Sequence, residues 1–161
     1  MSALRLALAT EADVDALAAL VRAYHAGEGI ESDIAELPSV LRPLLNDATK
    51  GRAWFIEHEG AVVGYVAICF GYSIEFGGVD AFVDEIYLAP SHRGRGLGTR
   101  ALALAIDATR ELGAHALHLE VDPANPAAMR LYRSAGFGDR RYRLMTLRFV
   151  DGASAKTSAR T

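Results

Sequence analysis

The sequence predicts a single α/β domain in which a mixed, mostly antiparallel sheet carries helices on both faces. Strand-type apolar runs alternate along the chain with segments whose apolar residues repeat at helical spacing. The 161 residues also suffice for one well-buried core. We expect the domain to span residues 1–150. Residues 151–161 contain no large apolar side chain and are expected to form a disordered tail.

The first third of the chain is predicted to form a strand followed by helical segments. Residues 5–9 alternate as a strand, and Thr10 with Asp13 resembles a helix start. Apolar residues at helical spacing carry that helix to about Gly27. Residues 28–45 begin acidic and continue as short helical pieces broken by two prolines. We expect them to form a substrate lid, with a plain connecting helix as the alternative.

The middle of the chain is predicted to supply the centre of the sheet. Residues 54–57 and 61–70 are the best hairpin candidate, because two apolar runs flank a short turn that contains glycine. A polar connection over residues 71–80 is expected next. It leads into a central strand over residues 81–88, which ends before Pro90.

The remaining segments alternate between helix and strand. Apolar residues at helical spacing predict a long helix from about Leu97 to Gly113, followed by a strand over residues 116–121. A short helix over residues 126–135 is expected to begin with Asn125 at its cap. Residues 137–149 are predicted to form one or two closing strands.

Composition argues against several classes of protein. The formal net charge of -3 disfavours a nucleic-acid partner, and no run approaches the roughly 18 apolar residues of a membrane span. Acids occur too early for a signal peptide, so we expect a cytoplasmic location and no membrane partner. The single cysteine, Cys69, permits no internal disulfide and is expected to be buried. The five histidines lack metal-site spacing, and no metal is predicted.

A loop rich in glycine and arginine follows the central strand and runs directly into the long helix. The first backbone N–H groups of a helix have no intrahelical partner, and the helix dipole adds positive potential there. A strand that leads through glycines into a helix N-terminus therefore predicts an anion site, and the expected ligand carries phosphates. The residues expected to hold it are Arg93, Gly94, Arg95, Gly96, Leu97, Gly98 and Thr99.

Three phosphate-binding patterns compete for this loop. A Walker loop requires a lysine that is absent here. A dinucleotide fingerprint requires G-x-G-x-x-G, and its third position is not glycine when counted from either Gly94 or Gly96. Glu120 or Asp122 could still mimic the ribose-binding acid, so this pattern is weakened and stays open. The third pattern, R-x-x-G-x-G, is filled by Arg93, Gly96 and Gly98.

The third pattern resembles the pyrophosphate loop of the GNAT-type, acyl-coenzyme A dependent N-acyltransferases. A second segment, NPAAMRLYRSAGF over residues 125–137, resembles the same superfamily's N-x-x-A-x-x-L-Y-x-x-x-G-F signature. Because the two motifs occur in the expected order and spacing, the chain is similar to that superfamily over roughly residues 62–149. The resemblance implies a GNAT-like fold whose central strand and following strand splay apart. It also implies acetyl-coenzyme A as cosubstrate, with its pantetheine arm in that cleft.

The resemblance further implies how the cosubstrate is held. The N–H groups of residues 93–99 would cradle the pyrophosphate, and the two arginines of the loop would balance its charge. The backbone beyond Tyr87 could pair with the pantetheine amides, and an N–H near Leu88 could stabilise the thioester oxygen. Asn125 is expected to cap its helix and could also contact pantetheine.

Direct transfer of an acetyl group to a primary amine needs a base, because an alkyl ammonium with a pKa of about 10.4 is almost entirely charged at pH 7. The superfamily commonly has an acid on the central strand, which makes Glu85 the candidate base. Asp84 as base, or a structural ion pair, is the alternative. The resemblance assigns Tyr132 as the general acid that protonates the leaving thiolate. Its alternative role is a buried aromatic beside Met129.

Acidic residues are expected to border the acceptor cleft and to favour a small cationic amine. A protein lysine or N-terminus is the alternative acceptor. A non-catalytic acyl-coenzyme A binding module and a nicotinamide-dependent oxidoreductase are the competing functions, and a homodimer is an option that the superfamily suggests. The acids in question are Glu28, Glu31, Asp33, Glu75, Asp80, Asp84 and Glu85.

Overall fold

The computed structural model describes residues 3–30 and 36–149. Short 3₁₀ turns over Glu11–Asp13 and Pro90–His92 precede the first helix and the glycine-rich loop. The tail predicted for residues 151–161 lies outside the described residues. The strands and α-helices, in chain order, are β1 (Leu4–Leu8), α1 (Val14–Glu28), α2 (Leu37–Asn46), β2 (Gly51–His58), β3 (Ala61–Ser73), β4 (Gly78–Leu88), α3 (Leu97–Glu111), β5 (Ala116–Leu119) and α4 (Pro126–Ser134).

The strands form one sheet in the order β1-β2-β3-β4-β5. The first four pair antiparallel, and β5 pairs parallel with β4. Parallel neighbours need a crossover connection, which α3 supplies between β4 and β5. The predicted mixed, mostly antiparallel sheet is therefore confirmed. Cys69 of β3, expected to be buried, is only partly buried.

Helices cover both faces of the sheet, as predicted. On one face, α1 and α2 bury Leu17 and Leu41 against Phe55 of β2. On the other face, α3 buries Ala105 against Trp54. Neighbouring side chains of a strand point to opposite faces, which is why two adjacent residues of β2 join different cores. None of the helices formed by the described residues is long and apolar enough to cross a membrane.

Of the two N-terminal helices, the first agrees with the prediction and the second is more continuous than predicted. Helix α1 ends at Glu28, close to the predicted end near Gly27, because Gly29 adopts the left-handed conformation, with φ of 65°, that glycine tolerates. Helix α2 is continuous and not broken by its prolines. Pro38 lies in its first turn, where no N–H is needed, and Pro43 lies in its last turn. The centre of the predicted lid, residues 31–35, lies outside the described residues.

The polar connection predicted over residues 71–80 is mostly strand. The ladder of β3 and β4 continues to the pair Ser73 and Gly78, and only residues 74–77 turn the chain. Tyr72 and Ile74 are exposed at this end of the hairpin. The polar residues therefore belong to a solvated end of the sheet, which periodicity alone did not distinguish from a loop.

The closing strands predicted over residues 137–149 do not form, and β5 is shorter than the predicted residues 116–121. An alternating apolar pattern yields a strand only where a partner edge is paired, and no described strand pairs with this segment. Arg140 attaches the segment to the end of the sheet by an ion pair with Glu75 and by stacking on Phe76. Its large apolar side chains are exposed, namely Tyr142, Leu144, Met145, Leu147 and Phe149.

Candidate active site

The centre of β4 contains a β-bulge where the sheet opens. Along the β3–β4 ladder, Ala67 pairs with Glu85 and Ile68 pairs with Val83, so Asp84 is an extra residue on β4. The parallel β4–β5 ladder ends at the pair Val83 and Leu119. From Asp84 onwards, no described strand pairs with β4 on the β5 side. The splayed strand pair that the resemblance implies is therefore present, and bulges of this kind commonly adjoin active sites.

Beyond the bulge, alternate backbone groups of β4 face the opening. The N–H of Ala89 donates to the carbonyl oxygen of Val63 at 2.9 Å, so the preceding residue, Leu88, directs its N–H and C=O away from β3. Tyr87 faces β3 instead. A Cβ at Gly64 would lie only 2.0 Å from the Tyr87 carbonyl oxygen, and the Tyr87 side chain is buried in the core. Of the two predicted strand contacts, Leu88 is the one whose backbone faces the opening.

The glycine-rich loop delivers unpaired N–H groups to the same region. Gly94 and Gly96 adopt φ values of 74° and 73°, a conformation that favours glycine. Gly96 is the N-cap of α3, and no side chain caps this helix end. The first N–H groups of α3, those of Leu97, Gly98 and Thr99, therefore keep the donor capacity of a helix N-terminus.

The side chains of the loop divide into core and surface. Leu97 is buried, whereas Arg95 and Thr99 are exposed. A Cβ at Gly98 would lie 3.6 Å from Leu88 Cδ1, so the start of α3 packs against the end of β4. Arg93 is folded back: its Nε donates to the carbonyl oxygen of Leu88 at 2.8 Å. Arg93 is nonetheless exposed, as is Arg95, so both loop arginines are accessible to a ligand.

Helix α4 presents Tyr132 near the opening. The Asn125 side-chain oxygen accepts from the N–H of Ala128 at 3.0 Å and caps the helix, as predicted. Tyr132 is half-buried, contacts the Phe137 ring edge-on, and lines a groove of about 1110 Å³ beside β5. Burial, followed by the charge of Glu28, raises the pKa of Tyr132. Its phenol therefore stays protonated at neutral pH and is able to donate.

Two hydrogen bonds from different elements hold the Glu85 carboxylate. His25 Nε2, in the last turn of α1, lies 2.5 Å from Glu85 Oε1. The hydroxyl of Tyr65, on β3, donates to Glu85 Oε2 at 2.5 Å. Tyr65 is fully buried, and burial together with this bond raises its pKa, so it remains a donor. The Glu85 side chain is 18% exposed and can still be reached by a ligand.

Tyr24 connects the candidate base with the candidate acid. Its ring lies 6.5 Å from the ring of Tyr65. Its pKa is raised first by burial and then, in decreasing order, by Glu28, Glu85, Tyr132 and Asp84. Both Glu85 and Tyr132 are thus within electrostatic reach of one partly buried phenol, although they are far apart in the sequence.

Only some of the acids that were predicted to border the acceptor cleft lie near Glu85. Glu75 is ion-paired with Arg140 at 2.9 Å, and Asp80 pairs with His118 at 3.3 Å, so these two carboxylates belong to the far end of the sheet. Glu31 and Asp33 lie outside the described residues. The acids that influence this region are Glu28, Asp84, Glu85 and Glu120.

Asp84 differs electrostatically from Glu85. Burial, and then the charges of Glu85 and Glu120, raise the pKa of Asp84, whereas His25 lowers it. Asp84 is the bulged residue, and among the described residues no side chain hydrogen-bonds its carboxylate. Within the described residues, no cluster of three or more metal-binding side chains occurs.

Sequence analysis missed His25, Tyr65 and Tyr24. Tyr24 falls on the apolar stripe of α1, and Tyr65 falls in an apolar strand, so each is typical of a core residue. The sequence around His25 contains no motif that indicates a contact with Glu85. The signal that could have found them is the β3–β4 register, which brings Tyr65 close to Glu85. The bulge shifts that register by one residue and has no reliable sequence signature.

The chain is similar in sequence to curated acyltransferases. The chain is 37% identical over 82 residues to the L-methionine sulfoximine/L-methionine sulfone acetyltransferase of Salmonella typhimurium, which covers 50% of this chain and 47% of that protein. It is 35% identical over 82 residues to an L-amino acid N-acyltransferase of Escherichia coli, which covers 50% of this chain and 46% of that protein. The chain thus spans about half the length of these curated relatives.

Solved structures share the whole architecture. An integron cassette protein from the mobile metagenome of Cole Harbour Salt Marsh has a TM-score of 0.79 and 28% identity, with 91% of each chain covered. The sequence profile of the Acetyltransferase (GNAT) family matches residues 15–137, from α1 through α4. A match over this much of the chain shows that the protein belongs to the GNAT family of acetyltransferases, which use acetyl-coenzyme A.

Proposed function

We propose that this protein transfers the acetyl group of acetyl-coenzyme A directly to the primary amine of a small cationic acceptor. The observation that carries the proposal is the arrangement at the bulge of β4. There a reachable carboxylate, that of Glu85, is fixed by two hydrogen bonds at the point where β5 stops pairing. The backbone of Leu88 faces the opening a few residues farther along the same strand.

The described residues fit the cosubstrate. The uncapped N–H groups at the start of α3 suit a pyrophosphate, and Arg95 can balance its charge. The free side of β4 at Ile86 suits an amide of a pantetheine arm, which would lie alongside as a short strand. The carbonyl oxygen of Leu88 already accepts from Arg93, so Leu88 contributes its N–H alone. The thioester of the cosubstrate supplies the acetyl group. Tyr87 is left out of this proposal, because its backbone faces β3 and its side chain is buried.

Glu85 is the base that removes a proton from the acceptor ammonium. An alkyl ammonium at pH 7 is neutral in only about one molecule in a few thousand, so supplying free amine costs about 4–5 kcal/mol. The carboxylate attracts the cation and accepts one of its protons. The nitrogen lone pair then forms a bond to the acetyl carbon, while the N–H of Leu88 donates to the thioester oxygen.

Tyr132 is the general acid that protonates the leaving thiolate. When the carbon–sulfur bond breaks, the phenol donates its proton to sulfur and is restored by the second proton that the nitrogen loses. One proton therefore reaches solvent through Glu85, and the other ends on the thiol. The products are an amide, coenzyme A and one released proton, and no acyl-enzyme forms.

Electrostatics supports a cationic acceptor, and the names of the relatives support a small amine. The carboxylates of Glu28, Asp84, Glu85 and Glu120 act on this region, with the first three raising the pKa of Tyr24. The two curated relatives described above are named for amino-acid acceptors. A protein lysine or N-terminus remains the second acceptor class, and a homodimer remains a prediction.

An amine panel with acetyl-coenzyme A, followed by thiol release, tests the proposal. Amino acids, a polyamine, an aminoglycoside and a lysine peptide cover the acceptor classes. We expect turnover with a small amine and a loss of about 10²–10⁴ fold in Glu85→Gln. Calorimetry with coenzyme A runs in parallel. Heat without turnover for every amine would instead indicate a binding module, and no heat with folded protein would overturn the proposal altogether.

A further inference from the structure

The reaction above uses the Glu85 carboxylate but assigns no role to His25 beyond its hydrogen bond to that carboxylate. Nε2 of His25 lies 2.5 Å from Oε1 of Glu85, and the His25 side chain is only 13% exposed. The two residues are 60 positions apart, so the contact depends on how α1 packs against β4. The C-terminal end of a helix favours a positive charge, so the dipole of α1 would stabilise His25 in its protonated form.

We propose that His25 is a positioning residue that sets both the orientation and the charge of Glu85. Neutral His25 leaves Glu85 as an anion that accepts the amine proton, and protonated His25 neutralises the pair. This inference rests on the proposed function. It adds that the base is controlled from α1, by a residue that does not itself contact the acceptor.

Orientation follows from the way the two carboxylate oxygens are held. His25 occupies Oε1 from one side, and Tyr65 donates to Oε2 from the buried side. The carboxylate is therefore fixed in one rotamer, with its remaining lone pairs available to a ligand that enters at the exposed part. Removing His25 would leave Tyr65 as one remaining anchor and would allow the carboxylate to turn.

The charge of the His25–Glu85 pair depends on which ionisable side chains form it and surround it. Among these types of side chain, the imidazole is the one that becomes a cation when it binds a proton, and a cation beside Glu85 cancels the charge of the carboxylate. Asp84 needs a separate control, because burial and its acidic neighbours raise its pKa. Among the described residues, the titratable groups of the cluster are Tyr24, His25 and Glu28 of α1, Tyr65 of β3, Asp84, Glu85 and Tyr87 of β4, Glu120 after β5, and Tyr132 of α4.

The charge of the His25–Glu85 pair affects the step in which the acceptor ammonium gives a proton to Glu85. An N–H bond of the acceptor ammonium breaks, its proton passes to Glu85, and the nitrogen keeps the electron pair that attacks the acetyl carbon. When His25 already carries a proton, Glu85 is a weaker acceptor and the pair no longer attracts a cation. Acetyl transfer should therefore decline on acidification because of His25, in addition to any protonation of the amine.

A double-mutant cycle separates positioning from a merely structural role. The variants are His25→Gln, Glu85→Gln and the combination, assayed for kcat and KM of the acceptor across pH 5–9. We expect His25→Gln to lower kcat/KM about 10–10² fold, to shift the acidic limb of the pH profile to lower pH and to leave coenzyme A affinity unchanged. In the Glu85→Gln background, the same change should have less than about a twofold effect.

Matched controls identify the source of the pH dependence. His58→Gln alters a histidine of β2 that contacts His92 and lies outside this cluster, so it should leave the rate and the pH profile unchanged. Asp84→Asn should leave the acidic limb in place. Additive effects in the cycle, or an acidic limb that His25→Gln does not move, would overturn the inference while the proposed function stands.

A readout without turnover keeps the inference testable if His25→Gln does not fold or if the wild-type protein acetylates none of the amines tested. In protein labelled with ¹⁵N-histidine, the hydrogen bond of the pair should give a downfield imidazole N–H resonance that disappears in Glu85→Gln and persists in Asp84→Asn. Absence of that resonance from wild-type protein at pH 5–8 would count against the pair. Failure of the proposed function would appear separately, as missing thiol release.

Discussion

The two sides of β4 at the candidate active site are built in different ways. On the cosubstrate side, the backbone groups of Leu88 and of the loop before α3 come from one continuous stretch of sequence. On the acceptor side, Glu85 is held by Tyr65 and His25, which are 20 and 60 residues away. The first side depends on local backbone conformation and the second on tertiary packing. Mutations should therefore affect cosubstrate binding and acceptor chemistry separately.

The largest effect is expected at Tyr132, the proposed general acid. Tyr132→Phe removes the phenolic proton and keeps the ring that packs against Phe137. We expect kcat to fall about 10²–10⁴ fold with little change in coenzyme A affinity, because general acid catalysis contributes an effect of that size. Steady-state kinetics and calorimetry measure the two quantities. Unaltered turnover would remove Tyr132 from the mechanism.

The same contrast explains how much of the fold and the site could be predicted from the sequence. The loop over residues 93–99, its helix and the Asn125 cap were predictable because each depends on residues next to it in the chain. The anchors of Glu85 were not, because a bulge at Asp84 sets which side chains face α1. The closing segment over residues 137–149 failed for a related reason: alternation specifies a strand but not its partner.

The next largest effect is expected at Tyr65, the buried anchor of Glu85. Tyr65→Phe removes the hydroxyl that donates to Glu85 and changes nothing else in shape. Hydrogen bonds to charged groups contribute about 1.5–3 kcal/mol, so kcat/KM for the acceptor should fall about 10-fold or more. Coenzyme A affinity should not change. Tyr72→Phe is the matched control, because Tyr72 is exposed at the far end of β3. Equal losses in both variants would contradict the assignment.

A smaller effect, confined to the cosubstrate side, is expected at Gly96. With φ of 73°, a Cβ at this position costs about 1–2 kcal/mol through the backbone alone, since nothing lies within 4 Å of it. Gly96→Ala should weaken coenzyme A binding about 10-fold, as the loop relaxes and its N–H groups move. Acceptor KM at saturating acetyl-coenzyme A should stay the same.

Gly138→Ala is the control for that experiment. Gly138 also has open space around it but lacks a positive φ, so alanine should be tolerated there. Calorimetry and thermal melts on both variants distinguish lost binding from lost stability. A Gly96→Ala protein that binds coenzyme A as tightly as wild type would show that the conformation of this loop is not what holds the cosubstrate.

The smallest mutational effect is expected in the alkylation rate of Cys69, a thiol that senses the acceptor side without taking part in the reaction. Burial, and then the charges of Asp84 and Glu85, raise the pKa of this thiol to about 11. At pH 8 its alkylation should therefore be about 10²-fold slower than that of an unperturbed thiol, because the thiolate is the reactive form. Glu85→Gln removes one negative charge, lowers the pKa of Cys69 and should speed alkylation about two- to threefold. Glu111→Gln, on α3 across the sheet, should not change the rate. Equal alkylation rates of Cys69 in Glu85→Gln and Glu111→Gln would show that the charge of Glu85 does not influence Cys69. Glu85 would then act only on the groups that it contacts directly.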